Sequence, residues 1–323
     1  MTPAEDIERA VAELSRGALV AFPTETVYGL GADATSAAAV ARLYAAKGRP
    51  IAHPVIVHLA RTAQVADWAL DMTPDARALA QAYWPGPLTL IMRRAPGVLD
   101  AVTGGQDTVG LRIPSHPVAQ ALLHAFGRGV AAPSANRFGH VSATTAAHVR
   151  EEFGDTVACV LDGGASDVGI ESTIVDVSGE HAVLLRLGAI SAQQIGSTLG
   201  RAPGVPGASA PRTSGTLAAH YAPHTPLLVM EDDLLLELAA SLAQQGKRIA
   251  VIARTARQPL LPGLTWIAAP EDANAYAHDL YANLRALDAA RCEVILVQQP
   301  PQDAAWAAIN DRLSRAAAGT RRP

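Results

Sequence analysis

The chain has 323 residues, 26 basic and 30 acidic, so it is long enough for two domains, and its net charge of -4 argues against a protein that mainly wraps nucleic acid. Its residues are 49% hydrophobic and 17% charged, with 22 prolines and 26 glycines in no regular period, which excludes a disordered or collagen-like protein. No apolar run is long enough to span a membrane and the first residues are acidic, unlike a signal peptide, so we expect a cytoplasmic protein.

The chain opens with a predicted amphipathic helix, followed by a short buried strand. Thr2 is the expected N-cap of the helix and Gly17 its end. The strand, residues 18–22, runs into PTETVYGLG (residues 23–31). Because proline, glycine and hydroxyl residues interrupt a strand, we expect these nine residues to form a loop at the strand end.

A second helix is predicted over residues 36–47, and its end places Lys47 close to Arg49. Alternation in the strands VIVHL and VGLRI turns His58 and Arg112 away from their apolar neighbours. The pattern is typical of a mixed α/β domain. Further strands are predicted at 55–59, 88–92, 109–113, 129–132, 157–161, 173–177 and 182–186, and further helices at 74–83, 116–126, 144–153 and 191–199.

The predicted domain boundaries follow changes in amino-acid composition along the chain. Residues 1–205 form the predicted first domain, and residues 206–225, rich in Pro, Gly, Ser and Ala, form a linker. Residues 226–323 then alternate strands and helices, which predicts a small parallel α/β domain. Its expected strands are 226–230, 248–253 and 293–298, with helices at 232–245 and 271–287 and a last helix carrying Trp306, Ile309 and Leu313.

No common nucleotide-binding or hydrolase motif is present. The chain has neither a P-loop nor a G-x-G-x-x-G turn after a strand. Its two cysteines, Cys159 and Cys292, are far apart and suggest neither a disulfide framework nor a zinc site. Instead, polar clusters follow several predicted strands, where α/β domains build their sites. These clusters are PTETVYGLG (23–31), KGRP (47–50), GLRIP (110–114), APSAN (132–136), LDGG (161–164), GIEST (169–173) and LLRLG (184–188).

These clusters, with WPGPLT (84–89) and HYAP (220–223), resemble the threonylcarbamoyl-AMP synthases in their long, two-domain form. The resemblance is specific over residues 18–223, and over 224–323 it depends on the order of elements. It implies a YrdC-like twisted mixed β-sheet with flanking helices, followed by a small Rossmann-like domain.

The resemblance also implies a reaction. L-threonine and bicarbonate or CO2 form a carbamate, which attacks the α-phosphate of ATP to give threonylcarbamoyl-AMP and pyrophosphate, with Mg2+ bound to ATP and without an assigned protein ligand. Partner proteins then transfer the threonylcarbamoyl group to an adenosine next to the anticodon of tRNA. Neither a membrane nor stable nucleic-acid binding is expected.

Cations suit the ATP side, because transfer at a phosphate depends mainly on positioning and charge neutralisation. Lys47 and Arg49 are the expected catalytic residues. For Arg49 and Arg186, the alternative to a role at the phosphates is a surface ion pair. For Ser134, Asn136 and Ser142 the alternative is turn capping. The full set implied for ATP is Lys47, Arg49, His53, Thr108, Ser134, Asn136, Ser142, Arg186 and Tyr221.

The threonine side needs a cation for the carboxylate, and the Arg112 guanidinium can bind it through two hydrogen bonds. A structural histidine is the alternative for His58, and turn caps are the alternative for Thr26 and Ser172. The full set implied for threonine is Thr26, His58, Arg112, Ala132 and Ser172.

The chain departs from the family pattern at two places. His53 stands where many members have Asn, and Ser214 and Thr216 replace Pro and Met in the linker. We hypothesise that the linker closes over the cleft and that Tyr221, with His220, excludes water from the adenylate.

The alternative function is an RNA-binding or ribosome-associated module. It would need clustered basic residues and exposed aromatic side chains. The chain is only 4% aromatic and has no basic excess, which favours the enzyme. A carbamoyl transferase with another acceptor would need further segments, and none is recognisable in the sequence.

Overall fold

The computed structural model describes residues 3–320, so Thr2, the predicted N-cap, lies outside the described residues. The chain forms two compact units. The first unit runs to Phe138 and continues over Ala143–Thr216, and the second contains Gly139–Ser142 and the chain from Leu217 onward. Within residues 3–320, no helix has the length and apolar character needed to cross a membrane.

The first unit contains a nine-stranded mixed sheet in the order β7-β1-β2-β6-β3-β5-β4-β8-β9, which confirms the predicted mixed α/β class. Its strands are β1 (Val20–Phe22), β2 (Gly29–Asp33), β3 (Ile56–His58), β4 (Leu88–Arg93), β5 (Thr108–Arg112), β6 (Val130–Ala131), β7 (Cys159–Val160), β8 (Thr173–Asp176) and β9 (Val183–Arg186). Its α-helices are α1 (Pro3–Ser15), α2 (Ala37–Lys47), α3 (Pro74–Tyr83), α4 (Asp100–Thr103), α5 (Pro117–Phe126), α6 (Ala146–Phe153) and α7 (Ala192–Leu199).

Helices pack on both faces of this sheet because the strand residues alternate between the two faces. On one face, α1 and α5 bury Val20, Phe22 and Val130. On the other face, a larger core includes Val57, Leu111 and residues of α2, α3, α4 and α6. Part of the first face carries a separate small cluster of Ile56, Ile91 and Ile174. The cavity of the candidate site lies next to this cluster, and its three isoleucines line the cavity.

The expected loop over residues 23–31 is wrong in its last part. Gly29–Asp33 forms β2, antiparallel to β1 with Phe22 opposite Gly29. A Cβ atom at Gly31 would lie 2.9 Å from Phe22 Cε1 and 2.9 Å from Val130 Cγ1. Glycine is therefore required here by close packing within a strand, whereas the sequence reading took it as a strand breaker.

The second unit contains a parallel sheet in the order β10-β13-β11-β12, which confirms the predicted small parallel α/β domain. The sequence pattern does not predict strand β12. This strand lies at the sheet edge and is only partly buried, and its sequence, LTWIA, lacks the continuous apolar run that is typical of a central strand. The elements are β10 (Leu227–Met230), α8 (Asp232–Gln244), β11 (Ile249–Ala253), β12 (Leu264–Ala268), α9 (Ala273–Ala289), β13 (Val294–Gln298) and α10 (Ala307–Thr320).

Candidate active site

The candidate site lies on the sheet face that carries His58 and Arg112. These residues are register partners on the parallel strands β3 and β5, so both side chains project from the same face, as their alternation predicts. A small cavity of about 10 Å³ opens over this face, and the predicted ATP ligand Thr108 lines it. Linker residues line it too, including Ser214, so the residues that follow the predicted first domain take part in this cavity.

Lys47 is the last residue of α2, just before a left-handed Gly48. Its side chain is buried, and Nζ donates hydrogen bonds to the carbonyl oxygens of Ser134, at 2.5 Å, and Asn136. The N–H of Phe138 donates to the Lys47 carbonyl at 2.8 Å. The fold thus brings together three residues that the sequence assigns to ATP: Lys47, Ser134 and Asn136.

Burial lowers the pKa of Lys47 well below its usual range, and the positive charge of Arg49 lowers it further. The Glu152 carboxylate acts in the opposite direction. A phosphate beside Nζ would favour the ammonium form and raise this pKa again. Lys47 is therefore suited to bind an anion that enters the site.

Ser214 of the linker connects the two predicted ATP-binding arginines. Arg49 Nη2 donates to Ser214 Oγ at 3.0 Å and to the Pro54 carbonyl at 2.8 Å. Arg186 Nη1 donates to the Ser214 carbonyl at 2.8 Å. Both arginines are buried, with 7% and 6% exposure, which is unlike a solvent-exposed ion pair. A chain cut after residue 205 would remove these contacts, so a truncation that tests the second unit should retain Thr216.

Ser172 connects Arg186 to the sheet face. Arg186 donates to the Ser172 carbonyl through Nε and to Ser172 Oγ through Nη2, both at 3.0 Å. Ser172 Oγ also lies 2.8 Å from Thr89 Oγ1. Thr89 is one residue beyond the Leu90–Leu111 register pair and therefore stands next to Arg112. Contacts thus lead from Arg49 to strand β4, which pairs with the strand that carries Arg112.

Arg112 is fixed by three groups. Its Nη1 donates to Thr26 Oγ1 at 2.8 Å, its Nε to the Gly86 carbonyl at 3.3 Å, and its Nη2 lies 2.8 Å from Glu25 Oε1. Thr24, rather than Thr26, accepts the backbone N–H bonds of this turn. The Thr26 hydroxyl is thus directed at the arginine and does not cap the turn.

His58 is 3% exposed, and its Nδ1 has no hydrogen-bond partner among the described residues. Burial, with a smaller contribution from Arg112, lowers its pKa to about 3. The imidazole is therefore neutral at physiological pH. A backbone hydrogen bond with Ile56 acts in the opposite direction on this pKa, so the ring is partly satisfied while Nδ1 is left without a partner in the described part of the chain.

This pKa predicts a pH-dependent stability. Above the unfolded-state pKa of 6.5, His58 is unprotonated in both the folded and the unfolded state, and its full contribution to stability is present. As the pH falls from 6.5 towards 3, only the unfolded chain binds a proton at His58. The free energy of unfolding therefore decreases over this range. At about pH 4.5 the loss is roughly 3 kcal/mol. His58→Gln should show a smaller difference in urea-unfolding free energy between about pH 7.5 and pH 4.5.

The matched control is His124→Gln, which changes an exposed residue of α5 and should retain the parent difference. Equal pH dependence in His58→Gln and the parent would contradict the assignment.

Four other predicted ligands have the following surroundings. His53 is half-buried, its carbonyl accepts a hydrogen bond from Arg49 Nε at 3.3 Å, and its ring lies 5.5 Å from that of Phe138. Ala132 packs in the core between the sheet, α1 and α5. Ser142 and Tyr221 belong to the second unit. There the Tyr221 ring stacks on Tyr281 at 5.7 Å and is 1% exposed. Their roles towards ATP and threonine stay predictions.

Two of the polar loops are joined to each other by backbone hydrogen bonds. The N–H of Leu30 donates to the Pro133 carbonyl at 2.9 Å, and the N–H of Ala135 donates to the Tyr28 carbonyl at 2.7 Å. The loops PTETVYGLG and APSAN therefore run side by side, and hydrogen bonds between neighbouring strands position both. This pairing places the Lys47 contacts and the Arg112 contacts within one unit.

Two matches to family models cover most of the chain. Residues 12–188 match the Sua5/YciO/YrdC model, described as telomere recombination, and residues 190–318 match the model described as threonylcarbamoyl-AMP synthase, C-terminal domain. The chain is also 36% identical to the threonylcarbamoyl-AMP synthase of Pyrococcus abyssi, over 96% of this chain and 93% of the relative. The chain belongs to the threonylcarbamoyl-AMP synthase family.

Further relatives agree with this assignment. The threonylcarbamoyl-AMP synthase of Bacillus subtilis is 36% identical over 97% of this chain and 93% of its own length. The crystal structure of P. abyssi Sua5 complexed with L-threonine has a TM-score of 0.90 and 33% identity, covering 99% of this chain and 96% of that one. The relatives support the predicted enzyme and not the RNA-binding alternative.

The sequence reading of this threonylcarbamoyl-AMP synthase family member missed Glu25 and Ser214 as site residues. Glu25 lies inside PTETVYGLG, next to the predicted ligand Thr26. A buried arginine requires a charged or strongly polar partner, so the prediction for Arg112 was itself a signal for a nearby carboxylate. Ser214 was noted only as a departure from the family pattern, since no local pattern indicates where a linker will lie.

Proposed function

We propose that this chain makes threonylcarbamoyl-AMP and pyrophosphate from L-threonine, bicarbonate or CO2, and ATP. The observation that carries the proposal is the pairing, within one unit, of buried cations suited to phosphates with a separate polar subsite around Arg112. Membership of the family supports the same reaction. The proposal includes the assignment of the individual residues to each substrate.

Arg112 binds the threonine carboxylate and thereby orients the amino acid. Its guanidinium is held by Thr26, Gly86 and Glu25, so little conformational freedom is lost when the substrate binds. His58 and Ser172 lie near the same strand ends and offer an imidazole and a hydroxyl to the substrate. The ammonium group then loses a proton to water, and the free amine attacks the carbon of CO2 and releases a second proton as it becomes a carbamate.

A carbamate oxygen attacks the α-phosphorus, the bond to the bridging oxygen breaks, and pyrophosphate leaves with the electron pair. Negative charge builds up on the phosphate oxygens, and Lys47, Arg49 and Arg186 are the chain's cations that neutralise it. Arg49 and Arg186 reach ATP once their contacts with Ser214 are exchanged for contacts with phosphate.

Magnesium accompanies ATP in this proposal and supplies further positive charge at the phosphates. Among residues 3–320, no group of three or more His, Cys, Asp or Glu side chains is placed to hold a metal ion. The donor set around Lys47 consists of cations and neutral groups, which fits an ion held by the phosphates. The proposal assigns these residues to ATP and names no protein ligand for the metal.

The product is consumed by partner proteins that transfer its threonylcarbamoyl group to an adenosine beside the anticodon of tRNA. A carbamoyl adenylate hydrolyses readily, so the transfer should follow soon after synthesis. We place both steps in the cytoplasm, where ATP and tRNA occur together.

The proposal is tested by mass spectrometry of the product formed from ATP, bicarbonate and isotopically labelled threonine. We expect a labelled adenylate and an equal amount of pyrophosphate only when all three substrates are present. Omission of each substrate in turn is the control. If the complete mixture contains no labelled adenylate, the proposed function is wrong.

A further inference from the structure

Glu25 forms an ion pair inside the predicted threonine subsite. Its Oε1 lies 2.8 Å from Arg112 Nη2, and its Oε2 accepts a hydrogen bond from the Ser115 N–H at 3.2 Å. The Glu25 carbonyl accepts another from Val168 N–H at 2.7 Å, which fixes the backbone. Glu25 and Arg112 are 5% and 4% exposed, so solvent screens this pair very little.

The Glu25 carboxylate is not needed for chemistry at the phosphate, and it acts against the expected task of Arg112. A threonine carboxylate bound to Arg112 comes close to a second negative charge. An arginine meant to hold a carboxylate alone would bind more tightly without this neighbour. Burial of Arg112 already favours a charged partner, and a partner placed here also influences which ligands Arg112 binds.

The net charge of the subsite indicates which ligands these are. Arg112 and Glu25 cancel, and Thr26 and Ser172 carry no charge. His58 is neutral at physiological pH because its pKa is lowered to about 3. The side chains of Arg112, Glu25, Thr26, Ser172 and His58 therefore carry no net charge together. Arg49 and Arg186 make the predicted phosphate side cationic, and Arg186 borders the subsite through its hydrogen bonds to Ser172. A ligand with no net charge and separated positive and negative ends matches the subsite best.

We propose that Glu25 determines specificity: by neutralising Arg112, it makes the subsite accept the zwitterion of an amino acid and reject carboxylates that lack the amine. This inference rests on the proposed function, since it concerns the threonine subsite. The Glu25 carboxylate attracts the ammonium group of a zwitterion and repels a simple anion. Glu25 therefore lowers the affinity for a simple carboxylate and raises the affinity for a zwitterion.

Rejection matters for the reaction because an acid without the amine cannot form a carbamate. Such an acid would occupy Arg112 and block the subsite. Many cellular metabolites are small carboxylates, whereas one methyl group contributes only about 10- to 200-fold to discrimination. The fixed negative charge of Glu25 next to Arg112 discriminates by the ammonium group, which all these acids lack.

The native protein provides the first test. (R)-3-hydroxybutanoate equals L-threonine without its amine, so titration calorimetry with both ligands measures the contribution of the amine. We expect hydroxybutanoate to bind at least about 100-fold more weakly than threonine, because it lacks the ammonium group whose attraction to Glu25 offsets the repulsion of the carboxylate that both ligands share. Displacement by threonine identifies binding at this subsite. Comparable affinities of the two ligands would overturn the proposal.

Glu25→Gln provides the second test, because it removes the charge and retains the shape. Hydroxybutanoate should bind this variant at least about 10-fold more tightly than it binds the parent, and the preference for threonine should fall by about 100-fold. The matched control is Glu151→Gln, an exposed residue of α6, which should retain the parent preference.

The outcomes separate the possible roles of Glu25. If Glu25→Gln weakens both ligands equally, Glu25 only supports the position of Arg112, and the specificity proposal is wrong. If the variant does not fold, as removing one partner of a buried pair can cause, the result with the native protein decides the question. A parent that binds no threonine would instead contradict the proposed function.

Discussion

Replacing Lys47 with alanine is expected to lower the rate of threonylcarbamoyl-AMP formation by at least about 100-fold, because one positioned donor to a developing oxyanion contributes about that much. The ammonium lies between the carbonyl oxygens of Ser134 and Asn136, so its loss also removes the group that holds this loop beside α2. The rate is measured from labelled adenylate at saturating ATP and threonine. Circular dichroism verifies that the variant is folded.

The chain provides its own control for this experiment. Its other lysine, Lys247, is exposed, and its Nζ lies 3.5 Å from Glu293 Oε2 at the surface. Lys247→Ala should therefore retain the parent rate. Lys47→Arg should not restore activity, because the planar guanidinium does not fit the space of a compact ammonium between two carbonyls. Normal adenylate formation by folded Lys47→Ala would remove Lys47 from the catalytic residues.

Replacing Arg112 with lysine is expected to raise the KM for threonine by about 100-fold, while the Kd for ATP changes little. Lysine retains the charge beside Glu25 but loses the planar fork that can bind a carboxylate through two hydrogen bonds. Each hydrogen bond to a charged group contributes about 1.5–3 kcal/mol. Lysine is preferable to alanine here because alanine would leave Glu25 buried without its partner.

Arg93→Lys is the matched control for this variant. Arg93 ends the neighbouring strand β4, opposite Thr108, but its side chain is exposed and pairs with Asp71 at the surface. The KM for threonine should be unchanged in this variant. Equal increases of the threonine KM and the ATP Kd in Arg112→Lys would indicate a general disturbance of the site and would contradict a specific role in threonine binding.

Much of the candidate site was visible from local patterns. Alternation in two strands predicted that His58 and Arg112 project from the sheet, and their register in β3 and β5 agrees. The end of the helix over 36–47 predicted the position of Lys47, and the structure ends α2 at this residue. These predictions succeeded because each depends on a few neighbouring residues and on the geometry of one helix or strand.

Other features depended on contacts between distant segments. The local sequence predicts a loop where β2 forms, because it does not show the packing of Phe22 and Val130 against Gly31. The same holds for Ser214, which meets Arg49 from 165 positions away. Local propensity is a weak predictor wherever tertiary packing decides the conformation.

The amino-acid sequence alone determined the α/β class, the parallel character of the second sheet and the family, because periodicity and ordered motifs persist along the chain. Only the tertiary structure decided which charges neutralise one another. It placed Glu25 against Arg112 across 87 positions of chain, and Ser214 between Arg49 and Arg186. Electrostatic energy depends on distance in space and on burial, and strand pairing sets both only after the chain has folded.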